Sequence, residues 1–149
     1  MKRIIRLSFI IITALAFTGC SKVVFMDDEP LAGSWILTDA AHKDAYGWYP
    51  VTTGVEGGVF TFYNNGTARY SEAGVVMHGS WQIFYSNDGY YDEYGNYYTD
   101  SHQALQVNLS DGYGENIDMY FDNVDIYGNR FVATNYNNHN IERYRFSRY

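Results

Sequence analysis

Residues 59–70 read VFTFYNNGTARY, and the turn inside them decides what kind of fold the chain makes. A two-residue turn at Asn65-Gly66 would set Phe62 opposite Arg69. A three-residue loop, Asn64-Asn65-Gly66 with Gly66 left-handed, instead pairs Tyr63 with Thr67, Phe62 with Ala68 and Phe60 with Tyr70. Only the second register collects Phe60, Phe62, Ala68 and Tyr70 on one face and leaves polar residues on the other. That division marks antiparallel strands with one face turned to a core and one to water.

The same logic extends along the chain. VDIYGNRFVA (124–133) takes a two-residue turn at Gly128-Asn129, which pairs Ile126 with Phe131 and Val124 with Ala133. LQVNLSDGYGENIDMYF (105–121) sets Leu105, Val107 and Leu109 against Phe121, Met119 and Ile117, with Gln106, Asn108, Asp118 and Tyr120 turned to water. Helical periodicity is nearly absent after Leu31. The strand segments are 34–39, 59–63, 67–71, 75–86, 104–109, 116–127 (broken near Asp122-Asn123), 130–136 and 141–147. The expected class is therefore all-β: an eight-stranded antiparallel up-and-down β-barrel. Eight is about the number at which a sheet closes around side chains or one small ligand, and closure removes exposed edges.

The tyrosine-rich run SNDGYYDEYGNYYTDSH (86–102) then reads as the end of a long hairpin. A two-residue turn at Gly95-Asn96 pairs Tyr94 with Tyr97 and Asp92 with Thr99. Keeping apolar residues opposite one another lower down requires an extra residue, placed at Gly89 as a bulge. Trp81 would then face Leu109, Ile83 would face Val107, and the tip would project beyond the barrel.

The first residues are of another kind. MKRIIRLSFIIITALAFTGC opens on Lys2, Arg3 and Arg6 and runs apolar from Leu7 to Phe17. That core is shorter than the roughly 20 residues of a membrane span and has the layout of an export signal. Phe17-Thr18-Gly19-Cys20 resembles the lipobox of bacterial lipoproteins, which implies cleavage before Cys20, its lipidation, and attachment to a membrane. Cys20 is the single cysteine of the chain, so no disulfide forms within it. The resemblance, with Ser21 after the cysteine, favours the outer membrane of a Gram-negative cell. The expected organisation is 1–19 signal peptide, 20–30 lipidated cysteine and tether, and 31–149 folded domain.

Lys2, Arg3 and Arg6 are the only charged residues in 1–19, so the remaining chain keeps all 17 acids and a formal net charge of −10. Such a surface repels nucleic acid and anionic headgroups. Acyl chains on Cys20 would hold the protein at a membrane.

Gly33-Ser34-Trp35 at the start of the first strand resembles the Gly-x-Trp signature of lipocalins. A second copy, Gly79-Ser80-Trp81, and the closing strand RYRFSRY (143–149) are similar to small bacterial lipocalin-like lipoproteins. The resemblance implies that Trp35 plugs one barrel end behind Gly33, with a late arginine, Arg143 or Arg145, stacked on it. It also implies that residues 41–58 cover the open end as a lid.

Catalytic and metal chemistry find no foothold. His42, His78, His102 and His139 do not share ligand spacing, and no cysteine remains to join them. The Asp88–Thr99 window fails as a calcium loop, because Glu93 stands where glycine is needed. No Gly-x-Ser-x-Gly elbow or phosphate-binding glycine loop occurs. The expectation is a protein without catalysis, metal or cofactor. Two binding modes remain. In one, a small apolar or amphipathic ligand enters the barrel mouth against Trp48, Phe60, Phe62 and Trp81. In the other, the barrel is filled and Tyr90, Tyr91, Tyr94, Tyr97 and Tyr98 meet a protein, a glycan or a hydrolase to be inhibited.

Overall fold

The computed structural model describes residues 31–137 and 139–149; the expected signal segment, Cys20 and the expected tether to Pro30 lie outside the described residues. The described chain is all-β and antiparallel. It has twelve strands: β1 Gly33–Asp44, β2 Gly47–Pro50, β3 Val59–Phe62, β4 Thr67–Glu72, β5 Val75–Ser86 and β6 Tyr90–Tyr91. The remainder are β7 Tyr97–Tyr98, β8 His102–Ser110, β9 Asn116–Phe121, β10 Asn123–Tyr127, β11 Arg130–Asn137 and β12 Asn140–Arg148.

All eight expected segments are present. The count rises because residues 116–127 divide at Asp122, because β2 forms where a loop was expected, and because the end of the long hairpin makes two short strands of its own, β6 and β7. The main sheet runs β10-β11-β12-β1-β3-β4-β5-β8-β9, with β2 paired to β1. This corrects the closed barrel: β9 pairs with β8 and β10 with β11, and among the described residues no ladder joins the two ends. The break at Asp122 is the physical reason. Its carboxylate accepts the Tyr136 amide at 2.7 Å, and the two halves of the run take different neighbours.

The sheet nevertheless curls far enough for its last strand, β9, to reach β12 through side chains. Phe121 on β9 lies 5.1 Å, ring to ring, from Tyr144 on β12. Side chains from along the whole path, including Trp35, Phe60, Trp81, Val107, Phe131 and Phe146, share one core. Phe131 stacks on Phe146 at 4.3 Å and meets the Trp35 edge at 4.8 Å. Each such buried aromatic contributes on the order of 2–3 kcal/mol of hydrophobic stabilisation.

The registers of three hairpins are those expected. Phe62 faces Ala68 and Phe60 faces Tyr70, with Gly66 at φ +78° closing the three-residue loop. Ile126 faces Phe131 around Gly128, and Leu105, Val107 and Leu109 face Phe121, Met119 and Ile117.

The fourth hairpin differs. Trp81 faces Val107, Ile83 faces Leu105 and Tyr85 faces Gln103, two residues away from the expected partners. Beyond the gap, Tyr90 faces Tyr98 and Tyr91 faces Tyr97, which continues the same register without a bulge. The tip explains it. Asp92 donates its amide to the Asn96 carbonyl (3.0 Å) and accepts the Gly95 amide (3.0 Å), so the loop is Glu93-Tyr94-Gly95. It is built like Asn64-Asn65-Gly66, with Gly95 at φ +87°. The Asp92 carboxylate fixes it by accepting the amides of Tyr94 (2.9 Å) and Asn96 (2.8 Å). Gly89 serves close approach instead: a Cβ there would lie 1.8 Å from the Tyr97 hydroxyl.

Nor does the tip project. The β6–β7 ribbon folds back across the outer face of the sheet. The Thr134 hydroxyl donates to Tyr91 O (2.5 Å), Arg143 donates to Glu93 O (3.2 Å) and Lys43 donates to Tyr94 O (3.3 Å). These contacts cross β11, β12 and β1 in turn. Ala41, Val132, Thr134 and Ile141 point outward from the sheet yet are buried.

Candidate binding cavity

One irregularity in β1 sets up both faces of this region. The ladder with β12 slips between Leu37 and Asp39, a β-bulge at Thr38. Leu37 opposite Phe146 and Ala40 opposite Tyr144 both point inward as a result. Asp39 turns outward to Arg145, and His42 turns inward opposite Glu142.

Beyond that bulge, inside the sheet's curl, a cavity of about 1020 Å³ opens at the end where β1 finishes and β12 begins. Part of its wall is apolar, formed by Tyr70, Met77, Ile117, Met119, Phe121 and Tyr144. Residues 51–55 close one side. Val55 is buried there, and Glu56 holds the 51–58 segment in shape by accepting the amides of Thr53 and Gly54 (2.9 Å for Gly54). The expected lid thus exists only as its second half. The first half, Ala41 to Pro50, is the β1–β2 hairpin.

The rim is acidic. Glu72, Glu115, Asp118 and Glu142 line it with His42, and none of the lining residues is lysine or arginine. Two of these acids carry a phenol. The Tyr70 hydroxyl donates to Glu72 within β4, and the Tyr144 hydroxyl donates to Glu142 within β12 at 3.1 Å. Burial raises both phenols above the ordinary tyrosine range, and the adjacent carboxylates push the same way. Each pair is spaced i, i+2, the period that keeps two side chains on one face of a strand.

The expected ligand wall lies elsewhere. Phe60, Phe62 and Trp81 are packed in the core and do not line the cavity: Phe60 lies behind Tyr70, ring to ring at 4.7 Å, and the Phe62 and Trp81 rings are 5.4 Å apart. Trp81 is anchored by donating Nε1–H to Tyr63 O at 2.9 Å. Trp48 is on the outside. It follows Lys43 across the β1–β2 hairpin, and the Arg143 guanidinium sits 4.4 Å above its ring. The bulge and the fold-back of β2, not the composition of the segment, put it there.

Gly33 and Trp35 lie at the start of β1, with Trp35 opposite Arg148 at the end of β12. Trp35 is fully buried and donates Nε1–H to Leu31 O at 2.7 Å. The arginine over its face is Arg148, at 4.1 Å, rather than Arg145 or Arg143. Arg148 also donates to Ala32 O (2.6 Å) and fills the space a Cβ on Gly33 would need. Arg145 faces outward and pairs with Asp39 (3.4 Å) and Glu93 (2.8 Å).

The tyrosines of the ribbon divide. Tyr90 packs under it against His102 (4.1 Å), and Tyr91 stacks on Tyr136 (5.0 Å). Tyr94, Tyr97 and Tyr98 are exposed. Among the described residues no three His, Cys, Asp or Glu side chains are grouped to hold a metal ion.

No family model, no curated protein and no solved structure matches this chain.

Proposed function

We propose that this protein is a non-enzymatic, lipocalin-like binder that takes a small amphipathic ligand into the cavity between β4, β9 and β12. In this reading it is anchored through a lipidated Cys20, at the outer membrane of a Gram-negative cell. The cavity carries the reading. At about 1020 Å³ it is as large as the largest small-molecule sites, which span roughly 300–1,000 Å³, and its lining joins an apolar patch of Met77, Ile117, Met119 and Phe121 to many polar and acidic groups. The stack of Arg148 on Trp35 behind Gly33 supports the lipocalin-like part, since that arrangement is what the Gly-x-Trp resemblance implies. The wall residues are Tyr70, Met77, Ile117, Met119, Phe121 and Tyr144 in place of those first expected.

Titrating the purified protein with a neutral fluorescent amphiphile such as N-phenylnaphthylamine tests it. One saturable site is expected, weakened when Met119→Trp fills the cavity. A signal that rises without saturating would overturn it. The anchor is tested separately: Cys20→Ser should move the protein from the membrane fraction to the soluble one.

A second reading has one observation in its favour. Tyr94 and Tyr97 present more than half of their surface to water, at 68% and 58%. A ribbon with exposed rings suits a protein or glycan partner. Replacing Tyr94, Tyr97 and Tyr98 by serine would abolish partner capture in that case and leave the amphiphile site intact.

A further inference from the structure

We infer that the cavity selects ligands whose polar end is cationic: an ammonium group on an apolar body, in preference to an alcohol or a carboxylate. This rests on the cavity reading above and names the ligand class for that site.

The argument begins with what surrounds the opening. Glu72 ends β4, Glu142 is the third residue of β12, and Glu115 precedes β9, so three separate parts of the sheet bring a carboxylate to one rim. No lysine or arginine side chain lines the cavity. The described ion pairs use Asp39 and Glu93 with Arg143 and Arg145, all on the outer face, and neither Glu72 nor Glu142 takes part in them. The partners those two carboxylates do have are phenols. Tyr70 and Tyr144 donate to them and thereby hold their position, without cancelling their charge.

The interior then limits what can meet that charge. Met77, Ile117, Met119 and Phe121 offer no hydrogen bond to a ligand's polar end, so that end must stay at the rim. A carboxylate there would face like charges across low-dielectric walls, which focus the field rather than screen it. An alcohol could donate one hydrogen bond. An ammonium donates several and neutralises part of the rim charge. His42 stands opposite Glu142 in the ladder and is the one basic side chain within the lining.

The experiment compares three probes with one tail: dodecylammonium, dodecanol and dodecanoate, each below its aggregation concentration, titrated into the full chain by calorimetry at physiological salt. The ammonium should bind at one site at least about tenfold more tightly than the alcohol, with the carboxylate weakest, a tenfold ratio being about 1.4 kcal/mol. In the E72Q/E142Q variant the ammonium-to-alcohol ratio should shrink towards one. That variant leaves most of the 17 acids in place, so general attraction by an acidic protein would survive it. Should the double variant not fold by circular dichroism, E142Q is measured instead and should remove part of the ratio. Equal or tighter binding of dodecanol or dodecanoate by the native protein overturns the inference and leaves an unselective cavity. An ammonium preference unchanged in the variant overturns it as well. Binding of none of the three removes the cavity reading itself.

Discussion

Glu93 and Arg145 are 52 residues apart in the chain, yet a Glu93 carboxylate oxygen lies 2.8 Å from Nη2 of Arg145. Glu93 is almost fully buried, at 5% exposure, in what would otherwise be the tip of a solvated hairpin. Around it, Asp39 joins Arg145 to Arg143 (3.4 and 3.2 Å), and Arg143 donates to Glu93 O. The group is a clamp that ties a tyrosine-rich ribbon to the outer face of the sheet.

Removing the clamp should free the ribbon without unfolding the core. Glu93→Ala is expected to cost about 1–2 kcal/mol in urea unfolding, the low end for charge-assisted bonds because Arg145 is partly exposed. Hydrogen exchange should quicken at the amides of Asp92 and Gly95 while Phe131 stays protected. Unchanged exchange in the ribbon would mean that stacking of Tyr91 on Tyr136 holds it and the clamp does not.

Gly79 brings β5 and β8 together where no side chain fits. A Cβ there would lie 1.9 Å from the Asn108 carbonyl oxygen, a backbone atom that cannot swing away. Gly79→Ala should destabilise the protein by about 3 kcal/mol, while the exposed neighbour Ser80→Ala should stay within about 0.5 kcal/mol. Comparable midpoints for the two would show that β5 can shift to make room.

Arg148 closes the buried end over Trp35, 4.1 Å from its ring centroid. Arg148→Ala should cost about 1 kcal/mol and alter tryptophan emission. Arg148→Lys should recover only part, since a lysine cannot both cover the ring and hold Ala32 O in one plane. Neither change should touch amphiphile binding at the far end.

Alkaline pH should loosen the fold by way of three phenols. Tyr70, Tyr90 and Tyr144 are raised above the ordinary range, first by burial. Glu72, Asp100 and Glu142 respectively then add to the effect, and Tyr90 is pushed up to about 12. In the unfolded chain a tyrosine ionises near about pH 10. The folded state keeps these protons where the unfolded state has released them. Their stabilisation is therefore whole below about pH 10 and is lost as the pH climbs, for Tyr90 through about 12 and for the other two later. Phenolate absorbance against pH should show a late-titrating group whose appearance coincides with unfolding. Uniform titration near pH 10 with the fold intact would contradict this.

The pieces legible in the sequence were those settled over short distances. Asn64-Asn65-Gly66 announced its loop, because glycine alone accepts the left-handed position cheaply and only one register put Phe62 beside Ala68. The Gly128-Asn129 turn and the pairing of Leu105 with Phe121 followed in the same way. Glu93-Tyr94-Gly95 was misread because Gly95-Asn96 looks like a stronger turn. The Asp92 carboxylate reverses that preference by capping the amides of Tyr94 and Asn96, and one altered loop moved every partner up to Trp81.

The binding site was less legible for a related reason. Tyr70 with Glu72 and Glu142 with Tyr144 are visible as i, i+2 pairs near strand ends. Nothing local says that the two strand ends adjoin the same cavity. The bulge at Thr38 carries no glycine or turn signal, yet it decides that His42 faces in and Asp39 faces out.

Alternation and turn chemistry were enough to make this an antiparallel all-β chain with its apolar residues on one side, since both act between near neighbours and need no knowledge of the rest. Where the ribbon lies, which arginine covers Trp35, and where the curled sheet leaves room depend on contacts between residues dozens of positions apart. Those contacts exist only once the sheet has formed. The break near Asp122 was legible in the sequence, but the slipped ladder at Thr38, which local preferences do not foretell, decides which side chains of β1 face in.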